Sequence, residues 1–97
     1  MKFIAELNKA FENRIRLGIM SALLVNEKID FNSLKVMLQI TDGNLASHIT
    51  ALEKFGYVSV SKKFIGKKTQ TTYSVTSIGR KAFNHHLDTL EKLIKQR

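Results

Sequence analysis

A chain of 97 residues with 43% hydrophobic content holds one domain and one modest core, since domains commonly run to roughly 100–150 residues. The absence of Cys excludes disulfides and thiolate metal sites, and the absence of Pro suits a chain made mostly of regular elements. The start, Met1-Lys2-Phe3-Ile4-Ala5-Glu6, meets charge too early for a signal peptide. The longest apolar run, Ala22 to Val25, falls far short of the roughly 18 residues of a membrane span. A cytoplasmic protein is therefore expected; its net charge of +8 points to nucleic acid or an anionic membrane surface and does not by itself choose between them, although no membrane is among the expected partners.

In chain order, Leu7 to Val25 is apolar at Leu7, Phe11, Ile15, Ile19, Ala22 and Leu23, which is helical spacing with a candidate break at Asn13. Ile29-Asp30-Phe31 reads as a short extended piece. Asn32 is placed to cap a helix from Ser33 to Leu38, with Phe31 and Val36 as a hydrophobic staple. Thr41 or Asp42 caps the next helix, which runs to about Phe55 and ends at Gly56. A two-residue Gly66-Lys67 turn with Gly first, as a type II′ loop prefers, pairs Ile65 with Lys68, Phe64 with Thr69, Lys62 with Thr71, Val60 with Tyr73 and Val58 with Val75. That single register sorts Val58, Val60, Tyr73 and Val75 from Ser59, Ser61, Lys63, Gln70, Thr72 and Ser74. Thr76 caps a last helix to about Lys95, with Phe83, Leu87, Leu90 and Ile94 forming a short a/d seam. The fold class is mainly α with a small β-hairpin (α+β). Its order is α-α-β-α-α-β-β-α when the first helical stretch is counted as two pieces.

Two features carry the functional reading. Between Val58 and Lys81 stand six basic residues, Lys62, Lys63, Lys67, Lys68, Arg80 and Lys81, and no acid; the other 73 residues hold ten basic and eight acidic side chains. A merely solvated face normally mixes signs, so Lys62, Lys63, Lys67 and Lys68, with Thr69 and Thr71 on the same hairpin, read as backbone-phosphate contacts. In the helix from Thr41, Leu45, Ile49 and Leu52 share the core arc. Gly43, Ser47, Thr50 and Lys54 point away, with Asn44 and His48 on the flank. Short polar side chains let a helix approach base edges in a major groove, and Thr41, Asp42, Gly43, Asn44, Ser47, His48, Thr50 and Lys54 form the candidate reading set. The alternative is an ordinary solvated helix face. Phe64 and Ile65 near the hairpin tip are expected to fold back onto it; the sharper alternative is a wedge or methyl contact in a minor groove.

The stretches Thr41-Asp42-Gly43-Asn44-Leu45-Ala46-Ser47-His48-Ile49, Leu52 to Val58, Thr71 to Thr76 and Gly79 to Phe83, in this order, resemble the winged helix-turn-helix transcriptional regulators of prokaryotes, closest to the small MarR/ArsR-like group. The resemblance runs from about Phe11 to Leu93. It implies one winged-helix domain over 1–97, with Asn32 to Gln39 as support helix, Thr41 to Phe55 as recognition helix, residues 58–75 as wing, and a long C-terminal helix, 77–95, for dimerisation. It implies that Arg14 and Arg16, on a basic first helix, meet the phosphate backbone. It also implies a homodimer joined through the first and last helices. Phe3, Ile4, Leu7 and Phe11 would then oppose Phe83, Leu87, Leu90, Leu93 and Ile94. Thr69 stands where such wings often carry Pro, and the lack of Cys removes the thiolate sensing sites of many ArsR-type repressors.

The expected partners are double-stranded DNA and a second copy of the chain, with no cofactor, no metal and no small-molecule substrate. His85 and His86 are adjacent, so they point about 100° apart on a helix and cannot share one metal from one chain; packing or surface roles are expected. No phosphate-binding Gly loop, no paired carboxylates and no activated nucleophile suggest an enzyme, and no ligand-sized pocket is expected in a chain this short. Rival readings are a winged helix that binds RNA or the ribosome, and one that docks a partner protein.

Overall fold

The computed structural model describes residues 2–95, with side chains from Ile4 onward. Two 3-10 turns, Lys2–Glu6 and Lys9–Phe11, precede helix α1, Arg14–Val25. The first helical piece is thus not α-helix. Two asparagines explain why: the Asn8 side chain accepts from the N–H of Ala10, and the Asn13 side chain accepts from Ile15 and Arg16 at 2.9 and 3.0 Å. Such side-chain bonds compete with helix propagation, and the second one starts α1 at the break expected from the sequence.

Strand β1 is only Ile29–Asp30, and helix α2 follows at once as Phe31–Leu38. The cap is Asp30, not Asn32: its carboxylate accepts from the Ser33 hydroxyl at 2.6 Å and the Ser33 N–H at 3.2 Å. Those bonds hold its pKa below the usual carboxylate value. The staple does not form, because Val36 lies 70% exposed. Gln39 takes a left-handed φ of 53° and closes α2 with its N–H on the Val36 carbonyl, while the Ile40 N–H reaches Lys35.

Helix α3, Asp42–Lys54, is capped by Thr41. It ends in a Schellman arrangement, with the Gly56 N–H on the Glu53 carbonyl, the Tyr57 N–H on Leu52, and Gly56 at φ 81°. Strands β2, Val58–Ile65, and β3, Lys68–Val75, pair in the register predicted from the sequence, from Ile65↔Lys68 to Val58↔Val75. Gly66 has φ 65° and Lys67 does not share the positive φ, as a type II′ turn requires. β1 adds Ile29↔Tyr73 and Asp30↔Thr72 to the far side of β3, so the sheet order is β1-β3-β2.

Helix α4, Ser77–Lys95, starts on Thr76, whose hydroxyl accepts from the Gly79 N–H and donates to the Gly56 carbonyl. The core is built from Ile19, Met20 and Leu23 of α1, Leu34 of α2, Leu45, Ile49 and Leu52 of α3, and the sheet base at Ile29, Val58 and Tyr73. Phe11 and Phe83 complete it, their rings edge to face at 5.0 Å. This corrects the expectation for both: each is 2% exposed within one chain, because the 3-10 turn folds Phe11 inward over Tyr57 and Phe83. Neither can face a second subunit.

Candidate nucleic-acid interface

α3 packs Leu45, Ile49 and Leu52 inward, which leaves Thr41, Asp42, Gly43, Asn44, Ser47, Thr50 and Lys54 exposed. Asn44 and Ser47 are the side chains on this face best placed to read a partner, since neither is taken up by a hydrogen bond of the protein among the described residues. Other members already have local work. The Thr41 hydroxyl caps the helix, accepting from Asn44 N–H at 3.2 Å, and the Thr50 hydroxyl donates back to the Ala46 carbonyl at 2.8 Å. Asp42 pairs with Lys35 of α2 at 2.8 Å. That partly exposed pair links α2 to the start of α3 and offsets the one acid on this face. Ala46, also exposed, lies beside Ser47 and was missed; a helical wheel alone would have found it, but a methyl group carries no chemical signal.

His48 is half-buried against α1. Its Nδ1 lies 3.2 Å from an Arg16 guanidinium nitrogen, while Arg16 Nε donates to the Ala10 carbonyl at 2.6 Å. A guanidinium only donates, so Nδ1 accepts and the neutral ring carries its proton on Nε2. Arg16 is therefore a strut joining the N-terminal turn, α1 and α3. It is not the freely projecting phosphate contact expected; Arg14, at the start of the same helix, is the exposed cation of the two.

The hairpin departs from the body at the end of α3 through Gly56, and only its base is buried: Val58 and Tyr73 are 4% and 8% exposed. β1 supports β3 as far as Thr72 and no further. Beyond it the wing projects, with Lys62, Lys63, Lys67, Lys68 and Thr69 exposed and Thr71 half-exposed. Phe64 and Ile65 do not fold back. They are 81% and 60% exposed, because the pairing puts only Thr69 and Lys68 opposite them and the start of α2 faces Ile65 only across an open cleft.

An open cleft of about 540 Å³ separates the start of α2 from the wing, lined by Asp30, Phe31 and Asn32 on one side and by Ile65, Thr69 and Tyr73 among others on the other. The expectation of no ligand-sized concavity is corrected here. It arises because β1 is two residues long, so the outer edge of β3 has no neighbour. In a hairpin closed by the Ile65–Lys68 pair, the backbone groups of Thr69 and Thr71 point to that open edge.

His86 belongs to the core. It is 4% exposed and accepts the Asn8 N–H on Nδ1 at 3.0 Å, while the Asn8 amide donates to the Tyr57 hydroxyl at 3.0 Å. Burial pushes its pKa below the ordinary imidazole value. His85 is exposed, 4.0 Å from Glu6. Among the described residues no helix is long and apolar enough to cross a membrane. On the expected dimer surface, Ile4, Leu87 and Ile94 are 59%, 41% and 58% exposed, Leu7, Leu90 and Leu93 are half-buried, and the Phe3 side chain lies outside the described residues.

A family model described as a winged helix DNA-binding domain matches residues 15–94. The chain belongs to that family. It is 36% identical over 87 residues to the uncharacterised protein MJ0432 of Methanocaldococcus jannaschii, covering 90% of this chain and 95% of that one. The solved structure of a transcriptional regulator homologue from Pyrococcus horikoshii OT3 superposes with a TM-score of 0.86 at 34% identity, covering 99% of this chain and 97% of that chain. NadR, solved in complex with 4-hydroxyphenylacetate, shares the fold with a TM-score of 0.74 at 23% identity, over 98% of this chain and 67% of its own. An ArsR family regulator is also among the structural neighbours. The winged-helix DNA-binding family is the one the sequence resemblance implied, and a transcriptional regulator homologue and an ArsR family regulator stand among its structural neighbours.

Proposed function

We propose that this winged-helix protein works as a homodimer on duplex DNA, in the cytoplasm, regulating transcription from an imperfect palindrome. The observation that carries this reading is the pairing of an exposed, short-chained reading face, Asn44 and Ser47, with an acid-free wing whose lysines are all exposed. Two copies would set their α3 helices in major grooves about one turn, or 10 to 10.5 bp, apart. Asn44 offers a bidentate amide to an adenine edge, with Ser47 and the His48 Nε2–H beside it. Lys62, Lys63, Lys67, Lys68 and Arg14 bind phosphate and add affinity without sequence information. The cleft between α2 and the wing, with outward N–H groups of Thr69 and Thr71, suits a passing sugar-phosphate strand.

Anisotropy titrations on a duplex selected from a random-sequence pool test this. Contacts to roughly 8 to 10 phosphates per dimer give a log–log salt slope near −7 to −9. Lys67→Ala with Lys68→Ala should weaken selected and random duplex equally, and flatten the slope by roughly 0.9 for each phosphate no longer neutralised. Asn44→Ala or Ser47→Ala should instead narrow the gap between selected and random duplex, with the slope unchanged. Equal behaviour of both classes refutes the division into readers and anchors. Tighter binding to structured RNA than to duplex DNA would move the assignment to RNA recognition, for which Phe64 is the one exposed aromatic of the wing.

A further inference from the structure

We propose that Phe64 is a wedge that partly unstacks a base step in the minor groove flanking each half-site, so that the protein bends its DNA. This rests on the duplex-binding reading above and assigns a role that reading does not require. The ring is 81% exposed, the most exposed large hydrophobic side chain of the wing. It has no aromatic partner among the described residues, and a folded protomer gains nothing from a phenyl group held there in water. A Ser or Lys would serve an idle tip better.

The surroundings fix the partner. On the pleated hairpin Lys62 shares a face with Phe64, while Lys63 and Lys68 lie on the opposite face with Ile65, and Lys67 occupies the turn. Cations therefore stand on both faces of an apolar end. A minor groove has matching form, two phosphate walls about 6 Å apart with base edges on its floor. Lysines on the two faces meet the two walls, and the end of the hairpin meets the floor. A membrane surface or an acidic protein patch would match lysines on one face only. Ile65 contributes less, because it lines the cleft shared with α2. The tight turn at Gly66, φ 65°, keeps the tip narrow, since no loop residues stand beside the ring. Inserted apolar side chains kink duplexes by 20–90°, and pyrimidine–purine steps yield most readily.

The test uses the full chain and a roughly 30-bp selected duplex with 2-aminopurine at the steps flanking each half-site and a donor–acceptor dye pair on its ends. Wild type should raise 2-aminopurine emission and shorten the end-to-end distance. Phe64→Ala should abolish both while binding roughly a hundredfold more weakly, about tenfold for each of the two aromatic–base stacks the dimer loses. Phe64→Trp should restore both. The exposed site makes thermal unfolding of the variants match wild type, which separates the wedge from a folding defect. If wild type binds this duplex with neither signal, or if Phe64→Ala keeps both, the wedge is overturned. Failure to bind any duplex at low salt would overturn the underlying DNA reading, and the wedge with it.

Discussion

At the scale of single residues, the position with least room is Gly79. A Cβ added there would clash with the Tyr57 carbonyl oxygen, the same oxygen that accepts the Thr76 N–H at 3.0 Å. The neighbour is backbone, so it cannot yield by a rotamer change. Gly79→Ala must part the start of α4 from the start of β2, the joint from which the wing departs. Overpacking of this kind typically costs about 1–3 kcal/mol, and backbone contact puts this case toward the upper end. Chemical denaturation should show the drop in stability, whereas Gly43→Ala, with nothing within 4 Å of the new methyl, should leave stability equal or slightly improved. Equal midpoints for Gly79→Ala and wild type would mean that the α4 start can slide freely.

At the scale of elements, legibility followed how local the deciding interactions were. The hairpin register could be read because Val58, Val60, Tyr73 and Val75 alternate with serines and threonines around a glycine-first turn. The cap at Thr76 could be read for the same reason, and the cap of α3 was narrowed to Thr41 or Asp42, of which the structure uses Thr41. The cap of α2 was misassigned by two residues because Asp30 and Asn32 are both cap formers, and only the pairing of β1 with β3 decides between them. Leu7 and Phe11 keep helical spacing, yet Asn8 and His86 break the piece into 3-10 turns through a contact 78 residues apart in sequence. Phe64 and Ile65 read as folded back on residue type alone; the sequence cannot show that the start of α2 faces Ile65 only across an open cleft. Of the candidate site, the α3 face and the wing lysines were legible, but the Arg16–His48 strut and the Lys35–Asp42 pair needed helices brought together.

That long-range contact also gives the fold a pH dependence. His86 must remain neutral to accept the Asn8 N–H, and burial lowers its folded pKa below the 6.5 it has when free, against a smaller opposing pull from Glu12 and with a small push from His85. Above pH 6.5 both folded and unfolded forms are neutral and the contribution to stability is complete. As pH falls from there through the folded pKa, the unfolded chain takes up the proton first, so stability declines. His86→Phe should remove this component, flattening the decline relative to wild type. It should also cost about 1–3 kcal/mol at neutral pH by leaving the Asn8 N–H without its acceptor. Parallel pH profiles for the two proteins would show that the imidazole proton is not coupled to folding.

For the whole molecule, shape and exposed apolar surface bear on dimerisation together. The described chain measures 55 × 25 × 21 Å with a radius of gyration of 14.8 Å, above the roughly 13 Å of a compact 100-residue domain. The wing and α4, whose 19 residues span about 28 Å, account for the elongation. α4 uses Phe83, His86 and Thr89 against its own protomer, while Leu87 and Ile94, seven residues apart and so on one helix face, are exposed, as is Ile4 of the N-terminal turn. A seam of that spacing suits a second α4. Leu87→Glu should then convert a dimer into an 11.0 kDa monomer in sedimentation equilibrium, with little change in unfolding of the protomer because the side chain is already 41% exposed. The monomer reaches only one half-site and half the phosphates, so its salt slope should fall from near −8 to near −4, and a palindrome should bind it no better than a single half-site. A Leu87→Glu protein that stays dimeric and keeps the full slope would place the subunit contact elsewhere and remove α4 from the geometry that sets half-site spacing.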